Sequence, residues 1–335
     1  MLTYTIRRLI LAIPTLLFIS FVIFLIVKLS PSDPTASLPL TIPPDVRELI
    51  RESLGVNDPV FVQYFKWLKL MVWDEPLHFI EGATGWPVAP EGPRIISYQT
   101  RSPVMDLIAQ RMPQTLWVVG TSYIVGILIA LPLGIISAYR QYSVFDQVGT
   151  FISMVGFSVP TFFTGVLFIV IFAVNLGWFP SVYNTTHVVT DWDSFVVQLK
   201  QIIMPVMVLG LYNASQISRY LRASMLDNLN QDYVRTARAK GLTEKIVVLV
   251  HVLKNSMIPV VTVIALNVPA VFGGAIITEQ VFKVNGIGQL LIIAIQSGDV
   301  PVVQTVSFIF AVLIVLFSLI ADILYGVLDP RIRYD

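Results

Sequence analysis

The chain has 335 residues, 55% of them hydrophobic and only 13% charged, with 20 Phe and a formal net charge of +1. A soluble globule of this size cannot keep so many large apolar side chains from water, so the composition places the chain in a lipid bilayer. The near-neutral charge excludes nucleic-acid binding built on phosphate neutralisation. The absence of cysteine excludes disulfides, thiolate metal sites and thiol catalysis.

A hydrocarbon core about 30 Å thick takes about 20 apolar residues of helix to cross. Six charge-poor runs meet that length: Leu9 to Leu29, Pro113 to Tyr139, Thr150 to Val174, Gln201 to Ser218, Ser256 to Thr278 and Val300 to Ala321. The first carries Lys28 near its end, where a long side chain can snorkel. Arg7 and Arg8 before it and Thr35-Ala36-Ser37 after it imitate a secretory signal. The apolar run is longer than the roughly 7–15 residues of a signal core, which predicts a retained anchor. The third run lies in a charge-free stretch, Gln147 to Thr190, whose tail NLGWFPSVYNTTHVV carries Gly, Pro and aromatics and is expected at the interface rather than across the membrane. Asn184-Thr185-Thr186 within it matches a glycosylation pattern by coincidence. The fourth run is the weakest, with 18 uncharged residues between Lys200 and Arg219.

Lys and Arg concentrate on the cytoplasmic side of short loops. With the N-terminus inside, the inner segments are Met1 to Arg8, the turn near Arg140, Arg219 to Lys254 and the tail with Arg331 and Arg333, which together hold 12 of the 22 basic residues. The expected fold is an all-α integral membrane protein with six transmembrane helices and both termini cytoplasmic. Its parts are a first helix at 1–30, a large external segment at 31–112 with a Pro- and Gly-rich stretch near 74–94, a transmembrane core at 113–326 and a cytoplasmic tail at 327–335.

Residues 219–258 form the long cytoplasmic connector inside that core. Residues 219 to 254 carry seven basic and three acidic side chains, and five cations (Arg235, Arg238, Lys240, Lys245, Lys254) fall in the single stretch DYVRTARAKGLTEKIVVLVHVLKNSMIP, Asp232 to Pro259. DYVRTARAK is a good helix former, and Gly241 after it is the residue preferred just past a helix end, in the left-handed conformation. Thr243 is a candidate cap for a second helix, with Ile246, Leu249, Val250, Leu253 and Met257 on one apolar face. Topology and headgroup contact account for cations but not for the small Ala237 and Ala239 beside a Gly elbow, which admit close approach of another body. The loop therefore reads as a docking element for a cytoplasmic partner.

These residues carry a resemblance. RTARAKGLTEKIVVLVHVLKNSMIPVVT is similar to the signature loop of ATP-binding-cassette importer permeases: an Ala-rich helix, a Gly at a fixed place and Ile-Pro further on, met here by Gly241 and Ile258-Pro259. Thr236-Ala237-Arg238 stands where many members have an acidic residue and two Ala, as in the dipeptide and oligopeptide branch. RRLILAIPTLLFISFVIF, QRMPQTLWVV and VPVVQTVSFIFAVLIVLFSLIADILYGVLDPRIRY resemble the B-type permease of that branch, in the same order.

The resemblance implies a type I importer permease in a prokaryotic plasma membrane, taking up peptides or, with the same machinery, oligosaccharides. It further implies a second homologous permease as heterodimer partner, two ATPase subunits that bind ATP and Mg, and an external solute-binding protein. The ATPase-coupling residues would be Tyr233, Arg235, Thr236, Ala237, Arg238, Ala239, Lys240 and Gly241. The chain would bind no cofactor itself and would not be an enzyme, in keeping with its lack of a GxxxxGK[ST] phosphate loop. Departing from the family, DEPLHFIEGATGWPVAPEGPR is an additional external stretch. It is either a tolerated surface insertion or, through Phe79, Trp86, Asp74, Glu75 and Glu81, part of the surface for the solute-binding protein.

Gly156, Pro160, Gly165, Pro259, Pro269, Gly273 and Gly274 read first as close-packing sites and second as hinges of a pathway. Asn267, Gln304 and Ser307 are candidate pathway groups, and Glu279 a candidate structural salt bridge. His78, His187 and His251 have no partner at metal-ligand spacing. An ATP-independent channel or ion-coupled carrier would need ionisable residues within the spans, where Asp322 is the nearest acid and is expected in an ion pair or cap. An intramembrane enzyme would need a catalytic constellation, and none is present. Reporters fused after Pro90 and after Lys240 are expected on opposite sides of the membrane, external and internal. Finding both on one side overturns this topology.

Overall fold

The computed structural model describes residues 2–29, 43, 58–90 and 92–328, with side chains at all of these but 2–4, 83, 269–274 and 325–328. Thr35-Ala36-Ser37 and the tail with Arg331 and Arg333 lie outside the described residues, and the packing around Pro269, Gly273 and Gly274 is likewise outside what is described. Two compact units emerge. One comprises Met1–Ile10, Gln114–Gln289 and Leu313–Asp335, the other Leu11–Pro113 and Leu290–Val312.

Long helices dominate, as they must where no water is available to satisfy backbone groups. They are α1 (Leu2–Leu29), α2 (Val60–Lys69), α3 (Glu75–Thr84), α4 (Val104–Thr115), α5 (Thr121–Tyr139), α6 (Val144–Ser158), α7 (Thr161–Phe168), α8 (Trp192–Leu229), α9 (Asp232–Ala239), α10 (Glu244–Ile246), α11 (Leu253–Phe282), α12 (Ile287–Ser297) and α13 (Val300–Leu328). Single π-helical stretches join α2 to α3, α4 to α5 and α10 to α11 without interrupting the helical path. Among the described residues, five helical runs are long and apolar enough to cross a membrane: Thr5–Leu29, Val104–Tyr139, Trp192–Leu229, Glu244–Val268 and Val300–Leu324.

The third expected span differs from its sequence reading. Instead of one rod there are two helical arms, Val144–Ser158 and Thr161–Asn175, bent by 104°. Pro160 has no N–H to continue the ladder and its ring forces Val159 out of the helical region, to φ −82°, ψ 126°. A second bent pair, Ala275–Phe282 with Ile287–Ser297, turns by 84° just beyond the fifth expected span.

In the first unit, α5 and α8 approach through glycines. A Cβ on Gly126 would stand 2.9 Å from Asn213 Cβ and 3.1 Å from the Gly210 carbonyl oxygen, and one on Gly134 would stand 3.0 Å from Leu221 Cβ. Gly156 and Gly165 are close-packing sites as expected, the first against Ser215 and the second against Val281 and Phe282. The non-helical tail after Asn175 is tied down through buried Tyr183, whose N–H donates to the Phe282 carbonyl at 3.0 Å and whose hydroxyl meets Gln114 and Gln198. Asp322 pairs with Arg8 at 3.0 Å, the ion pair expected of it.

In the second unit, the external stretch around residue 74 is helical and anchored. Glu75 is fully buried, accepting from the Ile95 N–H at 2.7 Å and from Arg94 at 3.0 Å, while Arg94 also reaches Asp106. Asp74 is buried and paired with Lys69. Glu81 accepts from the Ala89 N–H at 2.8 Å. Asp74 and Glu75 are therefore withdrawn from the docking surface that the sequence suggested, because carboxylates facing inward need internal donors. Phe79 and Trp86 remain exposed. Asp299 is likewise buried and accepts from Ser97, Tyr98 and Gln99, stapling the loop before α4 to the start of α13.

The α5–α8 contact tests directly. A methyl at position 126 has to push two helices apart, and overpacking of this kind costs about 1–3 kcal/mol. Gly120, with nothing within 4 Å of an added Cβ, gains only helix propensity from the same change. Gly126→Ala should lower the thermal unfolding temperature of the purified protein and Gly120→Ala should leave it equal or higher. An equal response of the two variants would show that the helices are not in register as described.

Candidate functional site

The cytoplasmic connector starts later than the charge pattern suggests. Arg219 and Arg222 end the apolar run but not the helix, since Arg is a good helix former, and α8 continues to Leu229. Both cations are used within the first unit. Arg222 grips Asp146 with two hydrogen bonds, Nε to Oδ1 at 2.6 Å and Nη2 to Oδ2 at 2.8 Å, and Asp146 also accepts from the Tyr142 N–H at 2.9 Å. The Arg219 guanidinium sits 4.5 Å from the centre of the Phe157 ring. This pairing across 76 positions is the feature that sequence reasoning missed. Ser143, which caps α6 and precedes Asp146 by three residues, marks the helix start but says nothing of the partner.

Gln231 enters α9 in extended conformation, and Asp232 in the first turn favours the positive end of the helix dipole. Val234 and Ala237 point inward, three residues apart on one face, and join Leu221, Met225, Val247, Val248 and Val252 in a single apolar cluster. Ala237 is thus small for the sake of its own fold, and of the two alanines only Ala239 is exposed. Tyr233, Arg235, Thr236, Arg238, Ala239 and Lys240 form the outward face. Tyr233 donates to Asn228 Oδ1 at 2.6 Å, and the Thr236 hydroxyl to the Asp232 carbonyl at 2.9 Å.

The helix ends as the sequence predicts. Gly241 has φ +77°, its N–H donates to the Arg238 carbonyl at 2.9 Å, and the Leu242 N–H reaches back to the Ala237 carbonyl at 3.4 Å. Two orphan carbonyls are satisfied by a left-handed residue, the Schellman arrangement. Arg238 bridges the elbow to Glu244 at 2.7 Å.

Thr243 stands at the cap position of the second helix but makes no side-chain cap bond. The buried face of that helix is also not the expected one. Val247, Val248 and Val252 are inside, while Ile246, Leu249 and Val250 are exposed and Leu253 and Met257 are half-buried. The run IVVLV is apolar all round, so periodicity could not choose a face; packing against α9 did. From Glu244 through the π-helical stretch to Phe282 the path is helical, and Pro259 lies within it rather than at a break. Ser224 on α8 and Ser256 on α11 are joined reciprocally, hydroxyl to carbonyl, at 3.0 and 3.3 Å. The loop therefore rests on an apolar pedestal and is clamped to the two long helices it connects.

Glu279, at the far end of α11, is fully buried and accepts from the Thr115 hydroxyl at 2.8 Å and the Gln289 N–H at 3.1 Å. Gly286 and Gly288 cradle it, since an added Cβ would fall 2.2 and 2.9 Å from its carboxylate. The pathway candidates divide between the units. Asn267 lies half-buried on α11 in the first, whereas buried Gln304 and half-buried Ser307 lie on α13 in the second.

Known proteins match this chain along its whole length. Residues 130–334 match the family described as binding-protein-dependent transport system inner membrane component, and residues 1–119 match the N-terminal region of such membrane components. The oligopeptide transport system permease protein AppB of Bacillus subtilis is 39% identical over all of both chains. The glutathione transport system permease protein GsiC of Escherichia coli K12 is 36% identical, again over all of both chains. A crystal structure of an amino acid ABC transporter aligns with a TM-score of 0.46 at 14% identity, over 68% of this chain and 95% of that one. The chain is a multi-pass inner-membrane permease subunit and belongs to the binding-protein-dependent transport system inner membrane component family.

Proposed function

We propose that this permease subunit forms half of the translocation pathway of an ATP-driven peptide importer, and that the loop from Asp232 to Pro259 is where cytoplasmic ATPase subunits engage it. The observation that carries the coupling role is the construction of the loop. A short helix presents an outward face of Tyr233, Arg235, Thr236, Arg238, Ala239 and Lys240, and its inward face is fused to the helix that becomes α11. A push on α9 cannot be absorbed locally, because Val234 and Ala237 are packed against Val247, Val248 and Val252. It passes to the continuous helical path from Glu244 to Phe282 and, through Ser224 and Ser256, to α8. ATP and Mg belong to the partner subunits in this reading, and an external solute-binding protein delivers the cargo to a heterodimer of two related permeases. The cargo assignment rests on the names of AppB and GsiC, both of peptide systems. No observation here favours an oligosaccharide.

Gly241 is the position that tests the coupling role. An added Cβ there meets nothing within 4 Å, so the cost of substitution is backbone strain alone, about 1 kcal/mol for Ala and more for a β-branched residue. Gly241→Val should leave membrane abundance near wild type while co-purification of the ATPase subunits and uptake in proteoliposomes fall. Gly241→Asn, which tolerates a left-handed backbone, should restore both. Arg238→Glu breaks an exposed pair with Glu244 worth at most about 1 kcal/mol and should only weaken docking. Normal coupling in the Val variant would remove the elbow from the mechanism.

Purified without partners, the chain should hydrolyse no ATP above background, since it contains no phosphate-binding loop. Robust turnover by the single chain would overturn the subunit assignment.

A further inference from the structure

Between α1 and α4 the sequence is too polar to span a membrane, yet α2 carries apolar side chains on two faces. One face, Tyr64, Trp67 and Met71, is buried in the second unit. An adjoining stripe, Phe61, Phe65 and Val72 at helical spacing, is 54–65% exposed, and Trp73 beyond it is 65% exposed. Such a stripe is costly to leave facing water, because apolar surface is driven out of contact with it.

The depth of this helix is readable from α1. Arg7 and Arg8 mark the cytoplasmic end of α1 and Lys28 the other end. Tyr64 donates to the Leu17 carbonyl at 3.1 Å and shares a hydrogen bond with the Ser20 hydroxyl at 2.8 Å. Phe61 stacks on Phe21 with ring centres 5.8 Å apart and planes 7° from parallel. Ser20 is nine residues before Leu29, which is about 14 Å along a helix axis and close to half the thickness of the hydrocarbon core. A second ruler agrees. Trp67 packs edge-on against Phe308 at 5.5 Å, eight residues or about 12 Å into α13 from Val300.

We propose that α2, with the π-helical stretch Leu70–Asp74 that follows it, is seated inside the outer leaflet as a re-entrant segment, its Phe61, Phe65, Val72 and Trp73 stripe against lipid acyl chains. The lipid is favoured over a water-soluble partner by position: the stripe lies level with the middle of α1, a membrane-crossing helix whose own Phe18 and Ile26 are exposed, and a water-soluble protein does not reach that level. Charge does not oppose the placement. Lys66 enters paired with Asp58 at 2.6 Å and Lys69 with Asp74 at 3.3 Å, and both stems are long enough to snorkel. The arrangement also gives Ser20, a fully buried hydroxyl in the middle of a crossing helix, a polar partner from the same unit.

The natural chain has no cysteine, so single thiols report cleanly. Phe65→Cys, Val72→Cys and, as a water-exposed reference, Gln99→Cys would be placed in the assembled transporter in intact cells and treated from outside with a charged, membrane-impermeant maleimide. A thiol in apolar surroundings is poorly ionised and shielded, so positions 65 and 72 should label at least about tenfold more slowly than position 99. All three should label fully after denaturation in detergent. Bimane attached at 65 and 72 in proteoliposomes should be quenched by phospholipid carrying a nitroxide on its acyl chain and not by iodide. Labelling at the rate of position 99, iodide quenching without nitroxide quenching, or protection that disappears when the solute-binding protein is removed would each overturn the proposal, the last by identifying a protein as the occupant.

Discussion

In hydrocarbon a backbone N–H or C=O without a partner costs several kcal/mol, and the described breaks in the membrane-crossing helices are shaped by that constraint. Where Pro160 interrupts the third span, the chain changes direction at a two-residue break and resumes a helix at once. Where α11 ends, Lys283 takes a left-handed conformation, the Val284 N–H closes on the Glu279 carbonyl, and the Glu279 carboxylate accepts from Gln289 at the start of the next helix. Outside the membrane the chain caps its helices in the same way: where α9 ends, the Gly241 and Leu242 N–H groups close on the carbonyls of Arg238 and Ala237. The π-helical stretches obey the same constraint, changing helical register without freeing backbone groups over a long run.

Because helices are obligatory, specificity of packing comes from small residues and from a few polar clamps. Gly126 and Gly210 bring α5 and α8 to backbone contact, and α8 then serves as the spine of the first unit. Its cytoplasmic third carries the Arg222–Asp146 pair, the Ser224–Ser256 clamp and the Leu221 and Met225 side chains beneath the connector. Stiffness at this place is what the proposed coupling role calls for. A loop held only by exposed ion pairs such as Arg235–Asp232, whose side chains are 74% and 96% exposed, would yield under load. The valine pedestal does not, because displacing it exposes apolar area.

Much of the site was legible in sequence because it depends on local chemistry. Gly241 at the end of a helix-forming run is a backbone statement, and the backbone obeys it. The crossing segments were legible because apolar length maps directly onto bilayer thickness. What was not legible were the choices between equivalent faces. Ile246, Leu249 and Val250 look as good a buried stripe as Val247, Val248 and Val252 in a run that is apolar throughout, and Ala237 looks as available to a partner as Ala239. In both cases the side that α9 covers decides, and that depends on the four-residue turn from Lys240 to Thr243.

The sequence by itself determined that this chain lies in a membrane, how many times it has apolar length to cross, and where its left-handed elbow falls, because each of these is fixed by residues within one or two helical turns. Only the tertiary structure decided that Glu75 and Asp74 are buried anchors rather than a docking surface, that Arg222 is committed to Asp146, that the third span is bent, and that α2 lies level with the middle of α1. Each of those depends on which partner reaches a side chain across tens of residues, and a buried charge or a half-apolar helix carries no mark in sequence of the donor, ring or lipid that completes it.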